Sequence, residues 1–64
     1  PAPEIILSYN EKYRKKAVAA AEKLRAEGKS VQMYYKENAE EYALKRGVEK
    51  LYKIDENIKI IEIN

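Results

Sequence analysis

Apolar positions along this chain fall into short blocks of two different periods, and the blocks alternate. Glu4-Ile5-Ile6-Leu7-Ser8-Tyr9 is rich in β-formers and predicts a first strand. From about Glu11 to Glu27 the period changes. Tyr13, Ala17, Ala20, Ala21 and Leu24 recur at steps of three and four, which makes one apolar stripe on a helix. Ser8 and Glu11 have the spacing of a capping box, and Asn10 alone would also serve as the cap. Gly28 should stop this helix, because glycine takes the left-handed conformation there without strain.

The second half repeats the scheme with shorter pieces. Lys29 to Tyr35 predicts a second strand, with Val31, Met33 and Tyr35 on one side and Gln32 and Tyr34 on the other. Asn38 with Glu41 predicts a second capping box, opening a helix from about Ala39 to Arg46 that buries Ala39, Tyr42 and Ala43 and closes at Gly47. Glu49 to Ile54 and Ile58 to Ile63 predict two antiparallel strands. The tight turn Asp55-Glu56-Asn57 joins them, with Asn57 the residue expected at positive φ.

The predicted order is therefore β-α-β-α-β-β over residues 1–64, a single α/β domain with two helices and a four-stranded mixed sheet. Two strand orders satisfy right-handed crossovers: 1-2-3-4 with both helices on one face, and 2-1-3-4 with one helix on each. The alternation of the second strand and the shortness of the second helix favour one covered face, hence a two-layer domain.

Composition narrows the chemistry sharply. The 64 residues include no His, Cys, Trp or Phe. At this length a chain buries only ~60% of the surface that its unfolded form exposes, so local determinants must agree with the fold. Nucleophilic catalysis is left with Ser8, Ser30, the lysines, the tyrosines and the carboxylates. A serine nucleophile would need a lysine base with a depressed pKa, and burying one is costly in so small a domain. No catalytic residue is assigned. Asp55-Glu56-Asn57 offers oxygen ligands but lacks the twelve-residue calcium loop and its closing Glu, so no metal or other cofactor is assigned either.

Thirteen basic against eleven acidic residues give +2, a solubility charge and not a nucleic-acid footprint. The apolar runs are far shorter than the ~20 residues of a membrane span. The opening Pro1-Ala2-Pro3 has none of the pattern of a signal peptide. The expectation is a soluble protein, cytoplasmic if natural or recombinantly expressed, that requires no partner.

Two surfaces merit attention as binding candidates. The carboxyl ends of the parallel strands carry Ser8, Asn10, Lys36 and Asn38, residue types suited to an anion at helix N-termini, although the same side chains also serve as caps. Under a two-layer arrangement the uncovered sheet face would show Ile6, Tyr34, Leu51 and either Ile61 or its neighbours Ile60 and Ile63, a self-association face. The fourth strand adds an edge guarded only by Lys59 and Glu62, a second route to a homodimer. Six tyrosines could stack bases, with Tyr34 the one expected to face away from the helices. The basic cluster Lys12, Arg14, Lys15 and Lys16 is interrupted by Tyr13, and nucleic acid is not the favoured partner.

Two resemblances follow from these residues. The run Ala17 to Val31, then Glu41-Tyr42-Ala43, Lys45-Arg46-Gly47-Val48 and Leu51, resembles the C-terminal anticodon-binding domain of histidyl-tRNA synthetases and the related domain of histidine-biosynthesis regulatory subunits. That resemblance implies a module contacting tRNA or a partner protein. The longer loop between second strand and second helix that carries basic residues in the family is missing here, and no functional residue is carried over. The paired capping boxes, closing glycines, short loops and Ile/Leu/Val/Ala core also resemble de novo designed idealised α/β domains, which implies a folding scaffold without catalytic activity.

Overall fold

Ile5, Ile6 and Leu7 are buried in succession, and this fixes the architecture. Neighbouring residues of a strand point to opposite faces, so three buried in a row require cover on both sides. In the computed structural model, which describes residues 1–64, β1 (Ile5–Tyr9) accordingly lies inside a four-stranded sheet. After it come a 3₁₀ turn (Glu11–Tyr13), α1 (Arg14–Ala26), β2 (Val31–Tyr34), α2 (Ala39–Arg46), β3 (Lys50–Ile54) and β4 (Ile58–Glu62). The sheet order is β2-β1-β3-β4, with β1 parallel to both β2 and β3, and β4 antiparallel to β3.

The mixed α/β class stands, and of the two expected orders the observed one is 2-1-3-4. The two-layer arrangement does not stand. The crossover through α1 leads from β1 to one side, and that through α2 leads back past β1 to the other. Crossovers of one hand that run in opposite directions place their helices on opposite faces. Leu7 and Ile54 thus pack with Ala17 and Ala21 of α1, whereas Ile6, Val48 and Leu51 pack with Ala39 and Ala43 of α2. The domain has three layers.

Alternation in β2 points the other way for a physical reason. Gln32 lies on the α2 face but is not open to water alone, since its Nε2 donates to the Tyr42 hydroxyl at 2.8 Å. A polar residue with a partner overhead reads in sequence like a solvated one.

Alanine sets the spacing of both layers. At Ala17, Ala21, Ala39 and Ala43 the helix backbones approach the sheet closely, leaving the aliphatic strand residues to fill the space between. Burying each of Ile6, Leu7 and Leu51 stabilises the fold by about 1.5–3 kcal/mol.

The ends of the elements follow the expected residues in part. Gly28 (φ 90°) and Gly47 (φ 73°) both adopt the left-handed region that ends a helix. Asn10 is the N-terminal cap, its Oδ1 accepting from the Lys12 N–H at 2.9 Å, but the turn it opens is 3₁₀ before it becomes α-helical. Ser8 belongs to β1 and forms no capping box. Asn38 does not cap α2 with its side chain either. Its backbone is left-handed (φ 60°), a conformation that asparagine tolerates better than most residues, and this turns the chain into the helix.

Asn57 is not at positive φ. The hairpin turn is closed by Asp55 instead, whose Oδ1 accepts from the Asn57 N–H at 2.9 Å while its own N–H donates to the Asn57 carbonyl at 3.0 Å.

Candidate functional site

The register of the parallel strands decides which polar side chains meet. On the α2 face, Ser8 of β1 lies beside Tyr34 of β2 and Lys53 of β3. The left-handed turn at Asn38 then brings the first turn of α2 over this row. The result is an open polar cleft at the carboxyl ends of the strands, lined by Ser8, Lys36, Asn38, Glu40, Glu41 and Lys53.

Three of the four expected anion-site residues, Ser8, Lys36 and Asn38, therefore come together. Asn10 does not join them, because its side chain is committed to the Lys12 N–H. Lys53 was not among the expected residues. Pairing Ser8 with the fourth residue of β3 would have found it, once the strand order was known.

Charge decides what this cleft can hold. Lys53 Nζ stands 3.5 Å from Glu40 Oε1, and Glu41 adds a second carboxylate to the same helix turn. Both acids sit where the helix dipole favours negative charge, so the helix N-terminus already has carboxylates beside it. Lys53 is paired with Glu40, and the cleft carries two carboxylates for its two lysines. An anion gains little here.

The remaining nucleophile candidate, Ser30, lies at the other end of the sheet. Its Oγ accepts from the Glu4 N–H at 2.8 Å, and its own N–H donates to Glu4 Oε1 at 3.1 Å. This reciprocal pair fastens the start of β1 to the start of β2, which is a structural use of the hydroxyl.

The expected self-association face is corrected by the layer arrangement. Ile6 and Leu51 are fully buried, and Tyr34 and Ile61 pack against the same cluster beneath α2. Tyr34 does not face away from the helices. Its ring stacks on Tyr42 of α2 with centroids 4.2 Å apart, and its hydroxyl donates to the Glu37 carbonyl at 3.1 Å.

Open apolar surface lies instead on the α1 face. Ile58 and Ile60 of β4 are 47% and 55% exposed there. Ile60, the neighbour of Ile61, is thus the part of the expected face that is open.

The basic cluster on α1 is dispersed by its own bonds. Arg14 pairs with Glu11 at 3.6 Å, and Lys16 Nζ donates to the carbonyls of Asp55 and Glu56, each at 2.7 Å. No helix is long and apolar enough to cross a membrane. Comparison with protein-family models, with curated proteins and with solved structures finds no match to this chain.

Proposed function

We propose that this chain is an idealised folding scaffold, a designed or engineered domain whose task is to hold an α/β shape and not to catalyse. One observation carries the reading. All ten buried residues are aliphatic side chains or alanines, and no polar or charged residue is buried among them. Sites that bind or transform small molecules are usually concave and place a few polar groups inside an apolar pocket. Here the polar groups stand at the surface, and Ser30, the two glycines and the hairpin Asp have local structural tasks. Agreement between helix stripe, closing glycine and apolar core is what design aims for.

Chemical unfolding tests the proposal. A scaffold of this kind is expected to unfold in guanidinium with a midpoint above ~5 M, the range of hyperstable domains. A midpoint below about 3 M, with the urea slope of an ordinary small domain, would contradict it.

The alternative is an anticodon-binding-like module contacting tRNA or a partner protein. The tyrosine best placed to meet a base, Tyr34, is occupied by Tyr42, which favours the scaffold. A titration of a labelled structured RNA at several salt concentrations separates the two readings. Saturable binding that weakens steeply with salt would establish the RNA module.

A further inference from the structure

The sheet has two edge strands, β2 and β4, and only one of them is guarded. The Ile5 N–H donates to the Ser30 carbonyl at 3.1 Å, and bonded positions alternate along a strand, so Val31 and Met33 turn their backbone groups outward. The outward Val31 carbonyl is taken, since Arg25 Nη2 donates to it at 2.8 Å. β2 is thus a short edge with a cation laid across it, which keeps another strand from pairing there.

β4 has no such device. The Ile63 N–H donates to the Glu49 carbonyl at 2.8 Å, and the Asp55 N–H donates to the Asn57 carbonyl at 3.0 Å. The alternate positions between these, Lys59 and Ile61, therefore bond to β3. The N–H and C=O groups of Ile58, Ile60 and Glu62 point away from the sheet, and no side chain bonds to them. The strand holds no proline and its pairing with β3 has no bulge. α1 packs on β1 and β2, and α2 packs on β3, so both helices are set back from this edge.

We infer that the open edge of β4 pairs with β4 of a second copy, laid antiparallel about a two-fold axis at Ile60. Unpaired backbone groups in a row select an extended strand as their partner. A free peptide must first be ordered, at ~1–2 kcal/mol per residue of backbone entropy, whereas β4 of another copy is already extended on its hairpin. Between copies β2 is blocked by Arg25, so β4 meets β4. The contact uses up the open edge of both chains and leaves only the guarded β2 edges, so assembly closes at two.

Side chains and strand length set the register. With the axis at Ile60, that residue bonds to the other copy's Ile60, and Ile58 bonds to its Glu62. Lys59 lies opposite the other copy's Ile61, so neither charge of the strand meets its like. Moving the axis to Lys59 would set the two ammonium groups against each other. Moving it to Ile61 would put Ile58 opposite Asn64, beyond the end of β4. At the chosen register Tyr52, Ile60 and the same two residues of the other copy form one row across the joined sheets.

Two strand edges bury little surface, which places the dimer in the transient class. In sedimentation equilibrium on the full chain, the mass should rise from 7.5 kDa toward twice that value between about 10 μM and about 1 mM. At the higher concentration amide exchange at Ile58, Ile60 and Glu62 should slow by about tenfold, while Val31 and Met33 keep their rates. Ile60→Lys and Ile60→Glu each place like charges on the axis, at a position 55% exposed, and each should stay at the monomer mass. An equimolar mixture of the two should associate again. Circular dichroism matching the parent's shows that both variants are folded. A parent chain that stays at 7.5 kDa, a mixture no better than either variant alone, or a dimer with unprotected β4 amides would overturn the proposal. So would a chain that stays monomeric yet captures a peptide copying Ile58 to Ile63, which would make β4 a receptor for free strands.

Discussion

Tyr34 and Tyr42 lie ring over ring, with centroids 4.2 Å apart and planes within 12° of parallel, and this stack ties the edge strand β2 to the helix above it. The Gln32 amide closes the group by donating to the Tyr42 hydroxyl at 2.8 Å. β2 is the outer strand on its side of the sheet, so it is held by β1 in the plane, by α1 on one face and by these side chains on the other.

Removing the hydroxyl and removing the ring should have separable effects. Tyr42→Phe loses the bond to Gln32 and should destabilise the fold by about 0.5–1.5 kcal/mol. A double-mutant cycle replacing Tyr34 and Tyr42 by Leu should give a coupling of about 0.5–1.5 kcal/mol, the usual range for aromatic pairs. Urea unfolding of the four proteins measures it, and additive losses would mean that the stack contributes nothing beyond burial.

Position within the layers should govern the cost of truncation. Leu51→Ala, buried between β3 and α2, should cost about 2–5 kcal/mol, whereas Ile60→Ala on the open face should cost under ~1 kcal/mol. Guanidinium unfolding of the two variants checks both. Comparable losses at the two sites would contradict the three-layer arrangement.

The end of α2 offers a test of backbone conformation without packing. Gly47 has φ 73°, and a Cβ added there meets nothing within 4 Å. Gly47→Ala should therefore destabilise by about 1 kcal/mol through strain alone, and Gly47→Asn should recover much of the loss. Thermal melts of the three proteins would show the ranking. An alanine variant as stable as the parent would mean that the chain finds another way out of the helix.

Lys16 holds the β3–β4 turn by its ammonium group, which donates to two carbonyls at 2.7 Å each. Lys16→Met keeps most of the stem and removes both bonds. Amide hydrogen exchange at Asn57 and Ile58 should quicken in the variant, with a global loss near 1 kcal/mol. Unchanged exchange in the hairpin would show that the Asp55 side chain suffices to close the turn.

Local features of this fold are legible in the chain, because residues near in sequence determine them. The stripe of Ala17, Ala21 and Leu24, the buried pair Ala39 and Ala43, and the closing Gly28 and Gly47 all lie where the sequence predicts. Caps were less legible. Ser8 has the spacing of a cap, but its strand pairs on both sides as far as Ser8, and strand pairing takes precedence. Asn38 is needed for its backbone and not for its side chain, a distinction that residue type alone does not make.

Layer count depends on strand order, which is not a local property. The contiguous Ile5-Ile6-Leu7 was the sequence signal for cover on both faces, and the alternation of β2 competed with it. The polar cleft was half legible. Ser8, Lys36 and Asn38 could be placed at one sheet end, but Lys53 and its Glu40 partner enter only through the register with β3.

The place of β1 has a consequence for how the chain folds. Only the β3–β4 hairpin pairs residues close in sequence, while β1 pairs on one side with β2 and on the other with β3, each across an intervening helix. Chain closure over such separations is slow, and neither parallel pair gains its full cover until both helices have docked. With β1 withdrawn, β2 has no strand neighbour and the hairpin loses the middle of its floor. The strand that comes first in the order of this domain is thus the one whose pairing waits for all the others, and its loss is expected to unfasten the whole sheet at once.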